Sequence, residues 1–309
     1  IAEPHRRQVR IIAQKTQGLS VARNVGAEAA TGEIVAYIDS DAHADPDWLR
    51  HLVTSMESGN YAAAGGPNLT PPSDGLTAQF IAFCPGNPTY VLKDNVRAEH
   101  IAGVNMAFRR GILLHLGGFD PVHTRAGHDV DICWRIEDAR FSMAFSPAAI
   151  VWHHRRPSIR TYLRQQFGYG EAENQLERKH PERFNLGGYI RWSGRVYAAP
   201  RRVSSVFRPF IFHGRLGMAM FQTLYQKEPS SLFEVPTMIQ WYLVAAALLC
   251  FSPISFWLLP LGLGMLSLSA WLALLAGVTI EPPVRLSRAQ RFKKAWVVGC
   301  LHFIHPVVR

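Results

Sequence analysis

The sequence predicts an α/β domain, a mainly parallel sheet flanked by helices, followed by a C-terminal transmembrane helical hairpin. Three observations lead there. Short apolar runs alternate with helical patterns from Val9 to Lys179. Acidic pairs stand where strands and helices meet loops: Asp39 and Asp41 follow the apolar run Ile34–Ile38, and Asp129 and Asp131 open a helical pattern. Thr237–Ile280 contains no charged residue. That run is too long for one spanning helix of about 20 residues and suits two.

In chain order, Val9–Ala13 reads as a short strand, so the chain is expected to begin inside the domain with its first strands missing. Ser20–Ala30 reads as a helix capped by Ser20 and ended by Gly32. Glu33–Asp39 is a buried strand. Asp45-Pro46-Asp47 is a helix start, with Asp45 as cap and proline at the first position. That helix is expected to stop near Gly59, and Tyr61–Gly66 to be a strand. Pro67–Asn95, rich in Pro, Gly and Asn, reads as loop, a lid or acceptor loop. Ile101–Arg109 is strand-like, with a short helix ending at Gly117-Gly118. His128–Ala139 is helical, Phe141–Phe145 and Ala148–His153 are strands, and Pro157–Lys179 is a long helix.

Beyond the α/β region, assigned to residues 1–188, the segment 189–236 is rich in Arg and aromatics and suits a membrane interface. The hairpin is 237–280, with Pro253 and Pro260-Leu261-Gly262 as its break. Residues 281–309 form a basic loop and the start of a further apolar segment. Arg215 and Lys227 precede the uncharged run, and Arg285, Arg288, Arg291, Lys293 and Lys294 follow it. Basic flanks on both sides put both ends in the cytoplasm.

The formal net charge of +10 favours anionic partners: phosphorylated donors or anionic lipid. No nucleic-acid module is visible, and nucleic acid is not expected as a partner. Four separated cysteines with no C-x-x-C pair argue against a zinc site or a disulfide framework.

Asp39 and Asp41 are two residues apart at a strand end, so one turn can aim both at one point. Carboxylate oxygens are hard ligands that suit Mg²⁺ or Mn²⁺, which bridge diphosphates. The second acidic cluster offers a base. Together they point to group transfer from an activated phosphate ester.

The run Gly18-Leu19-Ser20-Val21-Ala22-Arg23-Asn24-Val25-Gly26, then Thr31-Gly32-Glu33-Ile34 and Asp39-Ser40-Asp41, resembles the family 2 inverting glycosyltransferases with the GT-A (Rossmann-like) fold. Gly103-Val104-Asn105-Met106-Ala107-Phe108-Arg109 and His128-Asp129-Val130-Asp131-Ile132-Cys133-Trp134-Arg135 continue the match in order, over roughly residues 9 to 180. The resemblance implies that Asp41 ligates a divalent metal and that Asp39 contacts ribose or metal. It places Arg23, Asn24 and Gly103 on the donor side, Asn105 between donor sugar and acceptor, and Asp129 as the catalytic base. Asp131 joins the acceptor side, although its spacing to Arg135 is that of an ordinary i,i+4 ion pair. His153 is a further candidate metal ligand.

There are departures. The family usually carries an acidic residue before the base, and here it is His128. Arg164-Gln165-Gln166-Phe167-Gly168-Tyr169-Gly170 is similar in position to the Gln-x-x-Arg-Trp motif of processive synthases, but Gly168 and Tyr169 replace Arg and Trp. Gln165 and Tyr169 remain candidates for the acceptor side. The expectation is a membrane glycosyltransferase of hexosyl type, using a nucleoside diphosphate sugar and Mg²⁺ or Mn²⁺. Its acceptor would be a lipid-linked or growing glycan, in envelope polysaccharide or glycolipid synthesis. Its expected place is the bacterial inner membrane, multi-pass and beside membrane lipid, with the catalytic domain in the cytoplasm. The alternatives are a processive polysaccharide synthase and a non-catalytic membrane scaffold or pseudoenzyme.

Overall fold

The structure is a computed structural model, and it describes residues 9–197, 235–279 and 286–309. The interfacial segment expected over 189–236 therefore lies mostly outside the described residues. Ten strands and nine helices are used below. The strands are β1 (Ile34–Ile38), β2 (Ala42–Ala44), β3 (Ala63–Gly65), β4 (Asn68–Leu69), β5 (Tyr90–Leu92), β6 (Arg97–His100), β7 (Asn105–Arg109), β8 (Met143–Phe145), β9 (Val151–His153) and β10 (Arg195–Tyr197). The helices are α1 (Leu19–Ala29), α2 (Trp48–Glu57), α3 (Leu76–Ile81), α4 (Arg110–His115), α5 (His128–Asp138), α6 (Ile159–Lys179), α7 (Ile239–Cys250), α8 (Leu258–Thr279) and α9 (Arg288–Val308).

Seven strands form one sheet in the order β1-β7-β3-β8-β6-β5-β10, and β2-β9-β4 form a second. The sheets are mixed rather than mainly parallel. Only β3–β8 and β4–β9 run parallel; the other pairs are antiparallel. A parallel neighbour needs a crossover of a dozen or more residues. Strands β5 and β6 instead meet through a tight turn in which the Asp94 carboxylate accepts the Val96 and Arg97 N–H groups. Alternation of strands and helices predicts a sheet but not the direction of each strand.

Period-two alternation divides the core. Met106, Phe108, Met143 and Phe145 face one side, with Ala27 of α1, Leu113 of α4, and Ile132 and Ile136 of α5. The intervening Ala64, Ala107 and Ala144 face the other, and their small side chains let Trp48, Leu52 and Met56 of α2 pack directly on the sheet.

Several local expectations change. Val9–Ala13 is not a strand. Helix α1 begins after Gly18, whose φ of 100° suits glycine, and Ser20 donates to the His123 carbonyl instead of capping. Helix α2 begins at Trp48, not beside Asp45, because Asp45 accepts the Trp152 indole N–H. The expected loop Pro67–Asn95 contains β4, α3 and β5. Ile101–Arg109 is divided by a turn at 101–104 between β6 and β7.

Gly66 tests how close the backbones come. A Cβ there would overlap the Ala149 carbonyl oxygen and lie 2.8 Å from that of Ser146, both main-chain atoms. Gly66→Ala is expected to destabilise the protein by about 1–3 kcal/mol, measured as a lower denaturant midpoint. An unchanged midpoint would show that this strand end is free to shift.

At the C-terminal end, α8 packs against α9 through small residues. A Cβ on Gly277 would overlap the Ala295 carbonyl, and one on Gly299 would sit 3.2 Å from that of Ala273. This bundle meets the α/β region where Ala276, Val298 and Leu301 pack with Phe80, Ile81 and Cys84 around α3, and with Tyr162 of α6. The uncharged run divides unequally. Helix α7, of 12 residues, is about 18 Å long, and α8, of 22, about 33 Å. Among the described helices only α8 is long and apolar enough to cross a membrane. The break lies at 251–257, and Pro260 sits in the first turn of α8, where proline is tolerated.

Candidate active site

Strand β1 delivers Asp39 and Asp41 to the loop before β2. Strand β2 then pairs with β9 so that Ala42 lies opposite His153. This register brings His153 Nε2 to 3.3 Å from Asp41 Oδ1. Asp39, Asp41 and His153 offer ligand atoms all within 4.8 Å of one another. Two carboxylates and an imidazole suit Mn²⁺ and accept Mg²⁺ less well. His153 holds the Asp41 carboxyl below the usual carboxylate range despite its partial burial, and Arg156 Nη1 at 3.6 Å from Oδ2 adds to this.

Arg23 ties this side to the next. It is 6% exposed and donates through Nη2 to Asp39 Oδ1 and to the Gly103 carbonyl, each at 2.8 Å. Its guanidinium lies over the Tyr37 and Phe119 rings. Arg23 thus orients Asp39 from behind, as a buried cation.

Gly103 occupies the turn between β6 and β7 and links the two acidic clusters. Its N–H donates to Asp129 Oδ2 at 2.9 Å. A side chain is excluded there, because a Cβ would stand 2.8 Å from His128 Nε2 and 3.2 Å from Asp129 Oδ2. Asp129 lies in the first turn of α5, where the helix dipole favours a carboxylate. Burial works to raise its pKa, but the His100 and His128 imidazoles and the Gly103 N–H hold it well below the usual carboxylate range. His128, buried against Phe119, is pushed down to about 4 by burial, so it is neutral near pH 7.

Helix α6 closes the opposite side. Tyr169 lies near Asp129 and Arg156, and burial raises its phenol. Gln165 bonds the Tyr169 hydroxyl at 3.0 Å. Arg155 is held by Asn68, Thr70 and His153; burial lowers it to about 10, and it stays charged. The adjacent Arg156 is the free-facing cation beside Asp41, 42% exposed.

Three predicted site residues serve the fold instead. Asn105 is fully buried, receives the Trp48 indole N–H and donates to the Pro67 and Ala149 carbonyls, so no amide atom remains for a substrate. Asn24 uses both amide atoms on the Phe119 backbone, at 2.7 Å each. Asp131 is fully buried and paired with Arg135, Lys179 and His180 at 2.8, 2.7 and 2.9 Å. It cannot meet an acceptor, and the ion pair read from its spacing is the correct part of that expectation. Asp120, His123 and Asp131 also come close together, but the Lys179 ammonium sits between the two carboxylates and supplies the cation there.

Sequence reasoning missed His100 and Arg156. Arg156 stands three residues after His153 in the run His153-His154-Arg155-Arg156, a visible basic signal. His100 had none, because its place depends on the pairing of β6 with β5, which sets it opposite Val91.

Comparison with known proteins adds a family. Residues 1–117 match the family described as glycosyl transferase family 2. A glucosyl-dolichyl phosphate glucuronosyltransferase of Haloferax volcanii is 33% identical over 226 residues, covering 67% of this chain and 71% of that protein. A pre-mycofactocin glycosyltransferase of Mycobacterium tuberculosis is 25% identical over 174 residues, 54% of this chain but only 37% of the relative's length. Among solved structures, a mannosyltransferase of Pyrobaculum calidifontis in complex with GDP-Man and Mn²⁺ is 18% identical, with a TM-score of 0.46 over 99% of this chain and 71% of that one. An overlap that loose transfers no ligand or site.

Proposed function

The chain belongs to glycosyl transferase family 2 and is a glycosyltransferase; from that premise we propose that it moves a sugar from a nucleoside diphosphate donor, with inversion, to a lipid-linked or glycan acceptor at a membrane. The observation that carries this reading is the link through Arg23 and Gly103 between the Asp39–Asp41–His153 cluster and Asp129. It couples a diphosphate-holding side to a base across one glycine.

In this reading Asp41 and His153, with Asp39, hold a divalent ion, Mn²⁺ fitting the imidazole better than Mg²⁺. Such an ion offsets the charge that builds on the departing diphosphate. Arg156 stands where it can contribute a second positive charge to that group. Asp129 takes the acceptor hydroxyl proton while the acceptor oxygen bonds to the anomeric carbon and the bond to diphosphate breaks. Inversion follows from one base opposite one leaving group. Tyr169 and Gln165 line the acceptor approach from α6.

The membrane part rests on α8 and α9. Trp257 just before α8, Leu261, Trp271 and Leu274 on α8, and Phe292 and Trp296 on α9, present exposed apolar surface. With the basic residues Arg288, Arg291 and Lys293 of α9 in the same helix, this surface fits a lipid bilayer with the catalytic region on the cytoplasmic side. A hairpin formed by α7 and α8, multi-pass in a bacterial inner membrane, is part of the same proposal. A site so placed favours acceptors carried on lipid, for envelope polysaccharide or glycolipid assembly.

The test is hydrolysis and transfer from a panel of nucleotide sugars by full-length protein in detergent, with Mn²⁺ or with EDTA. One donor should turn over, EDTA should stop it, and Mn²⁺ should restore it. Asp41→Ala is expected to lower the rate by roughly 10²–10³-fold, since a metal supplies several kcal/mol to such a step. A folded protein that turns over no donor would favour a non-catalytic membrane scaffold.

A further inference from the structure

His100 ends β6 and is 4% exposed, with the Trp192 ring 5.5 Å from its own. Neither of its ring nitrogens has a hydrogen-bond partner. Its Nε2 lies 3.8 Å from Asp129 Oδ2, the oxygen that receives the Gly103 N–H. That separation is too long for a hydrogen bond, and a shift of about 1 Å would make one. A buried imidazole with no partner is uncommon, and here it points at the proposed base.

We propose that His100 is a second proton acceptor behind Asp129, receiving at Nε2 the proton that Asp129 removes from the acceptor hydroxyl. The inference rests on the glycosyl-transfer reading above. The balance is simple. The acceptor O–H bond breaks as the bond from that oxygen to the anomeric carbon forms. The electron pair of the broken anomeric bond leaves on the diphosphate. The proton moves from Asp129 Oδ2 to His100 Nε2, and the imidazolium gives it to water as the products depart.

Physical chemistry supports a second station. A carboxylate is a weak base, protonated ordinarily near pH 4. It can take a proton in the transition state but cannot keep one at neutral pH. An imidazole is ordinarily the stronger base by about two units. The surroundings tolerate a passing imidazolium. Asp129 and His128 reach it from α5; Arg23 of α1 neighbours His128, and Tyr169 of α6 neighbours Asp129. Glu99, beside it on β6, is committed to the Ser193 and Gly194 N–H groups. Asp129 is the carboxylate that approaches the His100 Nε2, and its charge offsets the new cation.

Two measurements on the full-length protein test this. NMR titration of the His100 ring in the wild type and in Asp129→Asn should show the midpoint falling by about one unit when the carboxylate is lost. His100→Gln, which keeps bulk and polarity but not basicity, should lower kcat by roughly 10–10²-fold with donor KM unchanged. It should also remove the acid-side fall of kcat in the range where histidine titrates. Identical titrations in the two proteins, or a variant keeping the wild-type kcat and pH profile, would overturn the proposal. Should His100→Gln fail to fold, the titration alone decides. A wild type that transfers no sugar sinks the functional reading instead, while the titration still reports whether His100 senses Asp129.

Discussion

Asp129→Asn is expected to lower kcat by roughly 10²–10⁴-fold while donor affinity and melting temperature stay near wild type. The expectation follows from what the substitution removes. Asn keeps an oxygen to accept the Gly103 N–H, so the turn between β6 and β7 keeps its anchor. It loses the negative charge and with it the capacity to take a proton. The donor side, built from Asp39, Asp41 and His153, reaches Asp129 through Arg23 and the Gly103 backbone, which Asp129→Asn leaves in place, so donor binding should survive. The pH profile sharpens the test. The groups around Asp129 hold it well below the usual carboxylate range, so it is already ionised near pH 4. Its own protonation therefore cannot cause a loss of rate between pH 5 and 7. The measurement is kcat against pH, with donor affinity taken separately by calorimetry. A variant with full kcat would remove Asp129 from the chemistry. A variant that binds donor a hundredfold more weakly would make it a donor residue.

Legibility in the sequence followed the range of the interaction. The Asp39-Ser40-Asp41 cluster could be read because an apolar strand delivers it, and strand and cluster are contiguous in the chain. The α5 helix was legible for the same reason, since Gly127 and two acidic residues mark its first turn and a 3.6-residue pattern follows. What decided the rest was long-range. Strand direction depends on which strands become neighbours, so a mixed sheet read as a mainly parallel one. Asn105 lies in a motif-like run, but the indole of Trp48 and the carbonyls of Pro67 and Ala149 occupy its amide, and none of these is near in sequence. His153 was a guess from its position after a strand. The β2–β9 register turns it into a neighbour of Asp41. The motif residues Arg23, Gly103 and Asp129 thus come together at one site, while Asn105 and Asp131 of the same motifs turn their polar side chains inward.

Asp131 provides the second large effect, and it is on stability rather than on rate. The carboxylate is fully buried and gathers Arg135 from its own helix with Lys179 and His180 from the end of α6. Removing it takes away the buried carboxylate that Arg135, Lys179 and His180 share, leaving Lys179 with Asp120 alone, a loss of about 3–5 kcal/mol for a buried pair broken on one side. Asp131→Ala should therefore lower the denaturant midpoint far more than Asp129→Asn does. The sign with pH is fixed by the same contacts. Burial works to raise the Asp131 carboxyl, but the bonds from His180 and Lys179 and the charge of Arg135 hold it below its ordinary value. A depressed carboxyl contributes stability that is fully present above about pH 4 and is lost as pH falls through its folded value. Wild-type stability should decline below pH 4, and Asp131→Ala should decline less over that window. The effect reaches the site indirectly, because Lys179 and His180 tie α6 to α5, and α6 carries Gln165 and Tyr169. Enzyme that remains folded at low temperature should keep a kcat within a few-fold of wild type, with any loss appearing as a raised acceptor KM. A kcat lost in full from a stable, folded Asp131→Ala protein would contradict this and return Asp131 to the acceptor side.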